Sequence, residues 1–211
     1  MDYDFVEIGT SDFDTIIQAC DPSSVGLSID PIQYYLDRLP EKPHVKKLNA
    51  AISDRDGTIQ CFHVPDAKIQ EYGLPWWVRG CNSIGVPHRT VLNLLIERGD
   101  DVSAIVDSFS VPMLSFASLV RAHNIRSIKY LKIDTEGHDC VILSNYIEVV
   151  QQGIIPPARR IFFESNVLTP RDVIDVTIER LRGLGYTLVV STSDDTLMEY
   201  QEAPHKVANG A

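Results

Sequence analysis

The chain lacks most of what would bind a nucleic-acid backbone, staple a secreted fold or cross a membrane. Its 19 Lys and Arg are outnumbered by 29 Asp and Glu, a net charge of −10. Basic residues cluster only as Lys46-Lys47 and Arg159-Arg160, short runs that read as solvated or helix-end charge. Phosphate backbones need clustered cations that release counterions, so no nucleic-acid partner is expected. Four cysteines, Cys20, Cys61, Cys81 and Cys140, stand without C-x-x-C spacing, which predicts reduced, mostly structural thiols. No apolar run is long enough for a membrane span or a signal sequence. There is no internal repeat and no low-complexity tract. With 44% hydrophobic residues, 12 Gly and 12 Pro in 211 residues, the expectation is one soluble, cytoplasmic domain over 1–211, with a flexible tail at 204–211.

A further absence concerns glycine. The pyrophosphate-cradling pattern G-x-G-x-x-G is missing, since Gly9 stands alone where three glycines would be needed. What the chain does have is a repeated grammar of apolar strands ending in an acid. Leu131-Lys132-Ile133 runs into Asp134-Thr135-Glu136-Gly137-His138-Asp139, a buried strand opening through a glycine turn. Phe5-Val6-Glu7-Ile8-Gly9 precedes an apolar-periodic stretch from Phe13 to Cys20, and Leu27-Ser28-Ile29 ends at Asp30-Pro31 before a helix-like Ile32 to Leu39. Ile161-Phe162-Phe163 ends at Glu164. Ligands of open α/β sheets bind at the carboxyl ends of the strands. Asp30 lies at about the distance, some 20 residues, at which an acid after the glycine turn accepts ribose hydroxyls. Its alternative role is to cap the following helix. A ribose acid without a phosphate cradle suits an adenosine ligand that has no phosphates, and S-adenosylmethionine is the common one.

At these residues the chain resembles the FkbM-type, S-adenosylmethionine-dependent methyltransferases. Glu7-Ile8-Gly9-Thr10-Ser11 is similar to the family's first motif and Ser28-Ile29-Asp30-Pro31 to its second-strand motif. The block Asn49 to Ser53 with Asp56-Gly57, the stretch Val111 to Leu119, Leu131 to Asp139, and Phe162-Phe163-Glu164 follow in order. Phe13 stands where the family usually has another glycine, and Ser11 where it has an asparagine. The resemblance implies an α/β, Rossmann-like class I methyltransferase fold: a mostly parallel seven-stranded sheet with an antiparallel C-terminal strand and helices on both faces. It implies cofactor contacts from Glu7, Gly9, Thr10, Ser11 and Asp30, with Ala51, Ile52 and Ser53 beside the adenine.

Methyl transfer needs an acceptor aligned with the methyl group and relieved of its proton. Asp134 is the expected base or metal ligand, with Glu136 and His138 assisting and Glu164 closing the acceptor side. Converging Asp134 and Glu136 also allow a divalent cation such as Mg²⁺. Residues 65–110, which include Tyr72, Trp76, Trp77, Arg79, Asn82, Ser83 and His88, are expected to form a substrate-side insertion or lid. Its aromatics either wall the pocket or pack beneath the loop. Toward the C-terminus, Thr169-Pro170 is expected to open a helix whose apolar face is Val173, Val176, Ile178 and Leu181, followed by a hairpin of Tyr186 to Ser191 and Thr196 to Tyr200. The expected acceptor is a small molecule or carbohydrate, methylated on oxygen, and a homo-oligomer is compatible with the short amino terminus. Two alternatives are a nicotinamide-dependent oxidoreductase, which would lack its glycine fingerprint and a Tyr-x-x-x-Lys pair, and a catalytically silent scaffold.

Overall fold

The computed structural model describes residues 1–202, so the expected tail at 204–211 lies outside the described residues. The chain opens with β1 (Asp2–Ile8), a short α1 (Ile16–Ala19), β2 (Gly26–Asp30), α2 (Gln33–Arg38) and β3 (Val45–Asn49). Next come β4 (Ala51–Ser53), β5 (Gly57–His63), α3 (Asp66–Glu71), a 3-10 turn over Trp76–Arg79 and β6 (Ser83–Ile84). These are followed by α4 (Arg89–Arg98), α5 (Val102–Ile105), β7 (Asp107–Ser115) and α6 (Phe116–Ala122). The last third holds β8 (Ser127–Ile133), α7 (Asp139–Gln151), β9 (Arg160–Glu164), α8 (Arg171–Gly183), β10 (Tyr186–Ser191) and β11 (Asp195–Tyr200).

Seven strands pair in the order β10-β11-β9-β8-β1-β2-β3. The five from β3 to β9 run parallel, while β11 is antiparallel to both β9 and β10. Burial explains the apolar runs: β2 is buried along its whole length, and Val6, Ile8, Leu131 and Ile133 are at most 2% exposed. Strands covered on both faces cannot alternate polar and apolar residues. Each such Leu or Ile contributes about 1.5–3 kcal/mol by leaving water. The main core joins β1, β2, β8 and β9 to α6, α7 and α8. Strand order reverses between β1 and β8, and the crevice at such a switch point is where an open α/β sheet receives its ligand.

One additional sheet and three corrected expectations stand out. A second, four-stranded sheet in the order β4-β7-β5-β6 was not foreseen. It takes Ala51–Ser53 out of the main sheet, because the chain leaves β3 at Ala50 and pairs β4 with β7 instead. The apolar stretch from Phe13 to Cys20 is helical only over Ile16–Ala19; the rest is a loop in which Ser11 and Asp14 hold positive φ of 51° and 54°. In α8 the buried stripe is Ile174, Thr177, Ile178 and Leu181, whereas Val173 and Val176 face solvent. Thr169 does not cap that helix; its hydroxyl donates to the Gly137 carbonyl at 3.4 Å.

Candidate functional site

The carboxyl ends of β1 and β8 meet almost without a gap. A Cβ on Gly9 would lie 1.8 Å from the Asp134 carbonyl oxygen, and Gly9 has φ +81°, so glycine alone lets the two strand ends close. Gly9 N–H donates to Ile29 O at 2.9 Å, and Asp134 N–H to Ile8 O at 2.9 Å. Beyond this seam opens a cleft of about 840 Å³, counted to its solvent-facing mouth. Its floor is Ile8, Gly9, Ile29, Ala51 and Ile52; its polar wall is Thr10, Ser11, Asp30, Asp134 and Glu136. Asn82, Ser83 and Ile84 complete it from the 65–110 segment.

Asp30 is the best-held acid of the cleft. Ser11 N–H donates to one carboxylate oxygen at 2.8 Å and Ile32 N–H to the other at 2.7 Å. Burial nevertheless raises its pKa to about 6, against the pull of those backbone donors. Asp30 therefore holds the turn that leads into α2, without capping the helix itself, and lines the cleft. The Ser11 hydroxyl and the Asn82 side-chain oxygen line the same cleft, are buried, and have no hydrogen-bond partner. The lining carries four carboxylates, from Asp14, Asp30, Asp134 and Glu136, and no Lys, Arg or His among the described residues.

Phe13 also lines the cleft. Its ring lies close enough to Gly80 that a Cβ there would come within 3.2 Å, and Arg79 sits over it at 5.8 Å. Arg79 also bonds Asp12 at 2.5 Å and Asp66 at 2.9 Å. The loop after β1 is thereby fastened to the 65–110 segment. That segment has its own core, formed by Ile69, Leu74, Val78, Val91, Leu95 and Ile105. Trp77 packs against it, whereas Trp76 is 82% exposed, and neither tryptophan lines the cleft.

Four residues expected at the site are absent from the lining of the first cleft. Glu7 lies beneath the cleft, fully buried: both its oxygens accept from Ile16 N–H, at 3.0 and 3.1 Å, and Lys132 donates at 3.3 Å. It holds the start of α1 and ties β1 to β8. Ser53 faces away from the cleft and meets His138 Nε2 at 2.9 Å. His138 is held by that contact outside the lining of the first cleft, and burial lowers its pKa. Glu164 sits behind Asp134 and Glu136, close enough that one oxygen from each of the three falls within 4.8 Å of the others. Its pKa is pushed up to about 9, first by burial and then by Glu136, Asp139 and Asp134, so it is protonated at neutral pH. One Glu164 oxygen is buried and unpartnered; the other accepts from Asn166 at 2.5 Å.

Three residues beyond the expected set shape this edge. Asp139, fully buried at the start of α7, accepts from the Thr135 hydroxyl at 2.8 Å and from Glu164 N–H at 3.2 Å. Burial raises its pKa to about 7. Its one sequence signal is an acid in the first turn of a helix. His88 bonds Glu136 at 3.0 Å, and Cys81 approaches both; nothing local in the sequence marks either. Glu136 is held at φ +54°, a strained backbone for a non-glycine residue. A second cleft, containing His88, Arg89, His138 and Leu168, shares Ser83, Ile84, Thr135 and Glu136 with the first.

A family model described as the methyltransferase FkbM domain matches residues 5–188. No curated protein and no solved structure matches the chain.

Proposed function

The chain belongs to the FkbM methyltransferase family, and from that premise we propose that it methylates a hydroxyl of a sugar, glycan or other small metabolite, using S-adenosylmethionine bound in the first cleft. The observation that carries this reading is the cleft lining, with four carboxylates and no cation among the described residues. Such a wall favours a positively charged adenosyl ligand and disfavours the pyrophosphate of a nicotinamide dinucleotide. The residues fit the cofactor on independent grounds as well. A buried acid stands where ribose hydroxyls would meet it, an apolar strip is formed by Ile29, Ala51 and Ile52, and the Ser11 hydroxyl has no partner within the chain.

When bound, S-adenosylmethionine supplies an electrophilic methyl group on a sulfonium. The chain's own part is positioning and proton handling. Asp30 accepts from the ribose, and Gly9 to Ser11 form the turn beneath the amino-acid end. Asp134, 40% exposed at the cleft mouth, takes the hydroxyl proton, with Glu136 beside it. Glu164, raised to about 9 by burial and its acidic neighbours, does not serve as base and supports Asp134 and Glu136 from outside both clefts. Glu7 and Ser53 support the site from outside the cleft. Asp134, Glu136 and Glu164 form an oxygen set of the kind that holds Mg²⁺, and no step of this reading depends on that ion.

The second cleft is the acceptor side in this reading, because it meets the first at Thr135 and Glu136. The whole of 1–211 is read as one catalytic domain, with 65–110 as its substrate-side part. A cytoplasmic location is supported by four free cysteines and by the lack, among the described residues, of any helix long and apolar enough to cross a membrane. Calorimetric titration with S-adenosylhomocysteine beside NAD tests the function. S-adenosylhomocysteine alone should bind, and Asp30→Ala should weaken it. NAD binding would overturn the reading, and binding of neither ligand would favour a silent scaffold.

A further inference from the structure

Cys81, His88 and Glu136 come from three separate stretches, yet one donor atom from each lies within 4.8 Å of the other two. Cys81 follows the 3-10 turn, His88 precedes α4, and Glu136 closes the turn after β8. The His88 side chain is 4% exposed. Its Nε2 lies 3.0 Å from a Glu136 oxygen, while Nδ1 is buried and has no partner. The ring therefore keeps a hydrogen-bonding capacity at Nδ1 that no group among the described residues meets.

Thiolate, imidazole and carboxylate form the donor set of a borderline-soft divalent ion, whereas Mg²⁺ and Ca²⁺ take oxygen alone. Ligand atoms around tetrahedral Zn²⁺ lie roughly 3.5 Å apart for bonds of about 2.0–2.3 Å. His88 Nε2 and Glu136 already lie 3.0 Å apart, and Cys81 lies within 4.8 Å of the donor atoms of both residues.

We propose that Cys81, His88 and Glu136 bind one divalent transition-metal ion of the zinc class, leaving a fourth position open toward the clefts that Glu136 lines. Three protein ligands and one open position mark a catalytic ion and not a structural one. On binding, the Cys81 thiol gives its proton to solvent and the ion keeps its charge. The ion's role rests on the methyltransferase reading: the acceptor oxygen coordinates at the open position, its O–H bond breaks with the electron pair staying on oxygen, and Asp134 takes the proton. The binding itself does not rest on that reading.

The test is titration of the purified full chain with Co²⁺, followed by absorbance and equilibrium dialysis. The expected result is one ion per chain, with a thiolate-to-cobalt charge-transfer band in the near ultraviolet. Cys81→Ser should abolish the band and weaken Co²⁺ at least about tenfold, His88→Gln should weaken it comparably, and Cys20→Ser should leave both unchanged. No bound Co²⁺, or binding without the band and indifferent to Cys81→Ser, overturns the proposal; the latter would assign the ion to the neighbouring carboxylates. S-adenosylhomocysteine titrated separately keeps the two readings distinct. A charge-transfer band without cofactor binding sinks the methyltransferase reading alone, and cofactor binding without the band sinks the metal site alone.

Discussion

Cofactor affinity should fall with pH through one residue, Asp30. It is 5% exposed and its pKa is raised to about 6 by burial, and the ribose hydroxyls need its ionised form as acceptor. Going from about pH 7.5 to about pH 5, the ionised fraction of a group with pKa about 6 falls by about tenfold, so the Kd for S-adenosylhomocysteine should rise by up to about tenfold. Asp30→Asn should weaken binding at neutral pH by roughly 10–100-fold, the loss of one charged hydrogen bond of about 1.5–3 kcal/mol. It should also remove the pH dependence. The variant should still fold. A carboxyl raised from 3.8 to about 6 binds more protons folded than unfolded, so stability falls as pH rises across that window, by at most about 3 kcal/mol. Replacing it by a neutral amide recovers that cost and offsets the loss of one backbone bond, from Ser11 or Ile32, worth about 1 kcal/mol. Calorimetry on both proteins at four pH values decides the matter. An affinity in the native protein that is flat between about pH 5 and 7.5, or a slope that survives in Asp30→Asn, would refute the assignment of the ribose to this acid.

Other substitutions probe the frame around the cleft. Gly9→Ala forces a methyl into the Asp134 carbonyl and a strained φ; it should cost at least about 2–4 kcal/mol in urea denaturation, and near-native stability with intact cofactor binding would contradict the seam between β1 and β8. Lys132→Met leaves the fully buried Glu7 without its counter-charge and should destabilise by about 3–5 kcal/mol, a loss that Glu7→Gln in the same chain should partly restore. Arg79→Ala cuts the ties to Asp12 and Asp66. Because the Asp12 side chain is only 5% exposed, the change should destabilise the fold by about 1–3 kcal/mol while S-adenosylhomocysteine dissociates several-fold faster in stopped-flow, and an unchanged off-rate would mean that the loop after β1 is held by other contacts.

Much of the first cleft was legible in the sequence because a strand buried on both faces must be written as an apolar run, and its end is punctuated by an acid and a glycine. The parallel strands, the turn at Gly9 and the positions of Asp30 and Asp134 all follow from that rule. The second sheet escaped because β4 and β6 span three residues and two, and β5 finds β7 across a long separation, Gly57 opposite Met113. Glu7 illustrates a different failure. The sequence shows an acid just before a glycine turn, but it takes the pairing of Glu7 opposite Lys132 on β8 to show that the side chain points beneath the cleft. His88 and Cys81 reach Glu136 from far along the chain, through contacts that no local pattern encodes.

The small core under 65–110 shares none of its buried residues with the main one. The two halves of the molecule can therefore accumulate substitutions on separate accounts. Leu74, Val78 and Leu95 belong to the smaller core, whereas Ile8 and Ile29, which flank Gly9 and Asp30, belong to the main one. Under the proposed function, exchange of this segment between relatives would change the acceptor wall while keeping the cofactor platform.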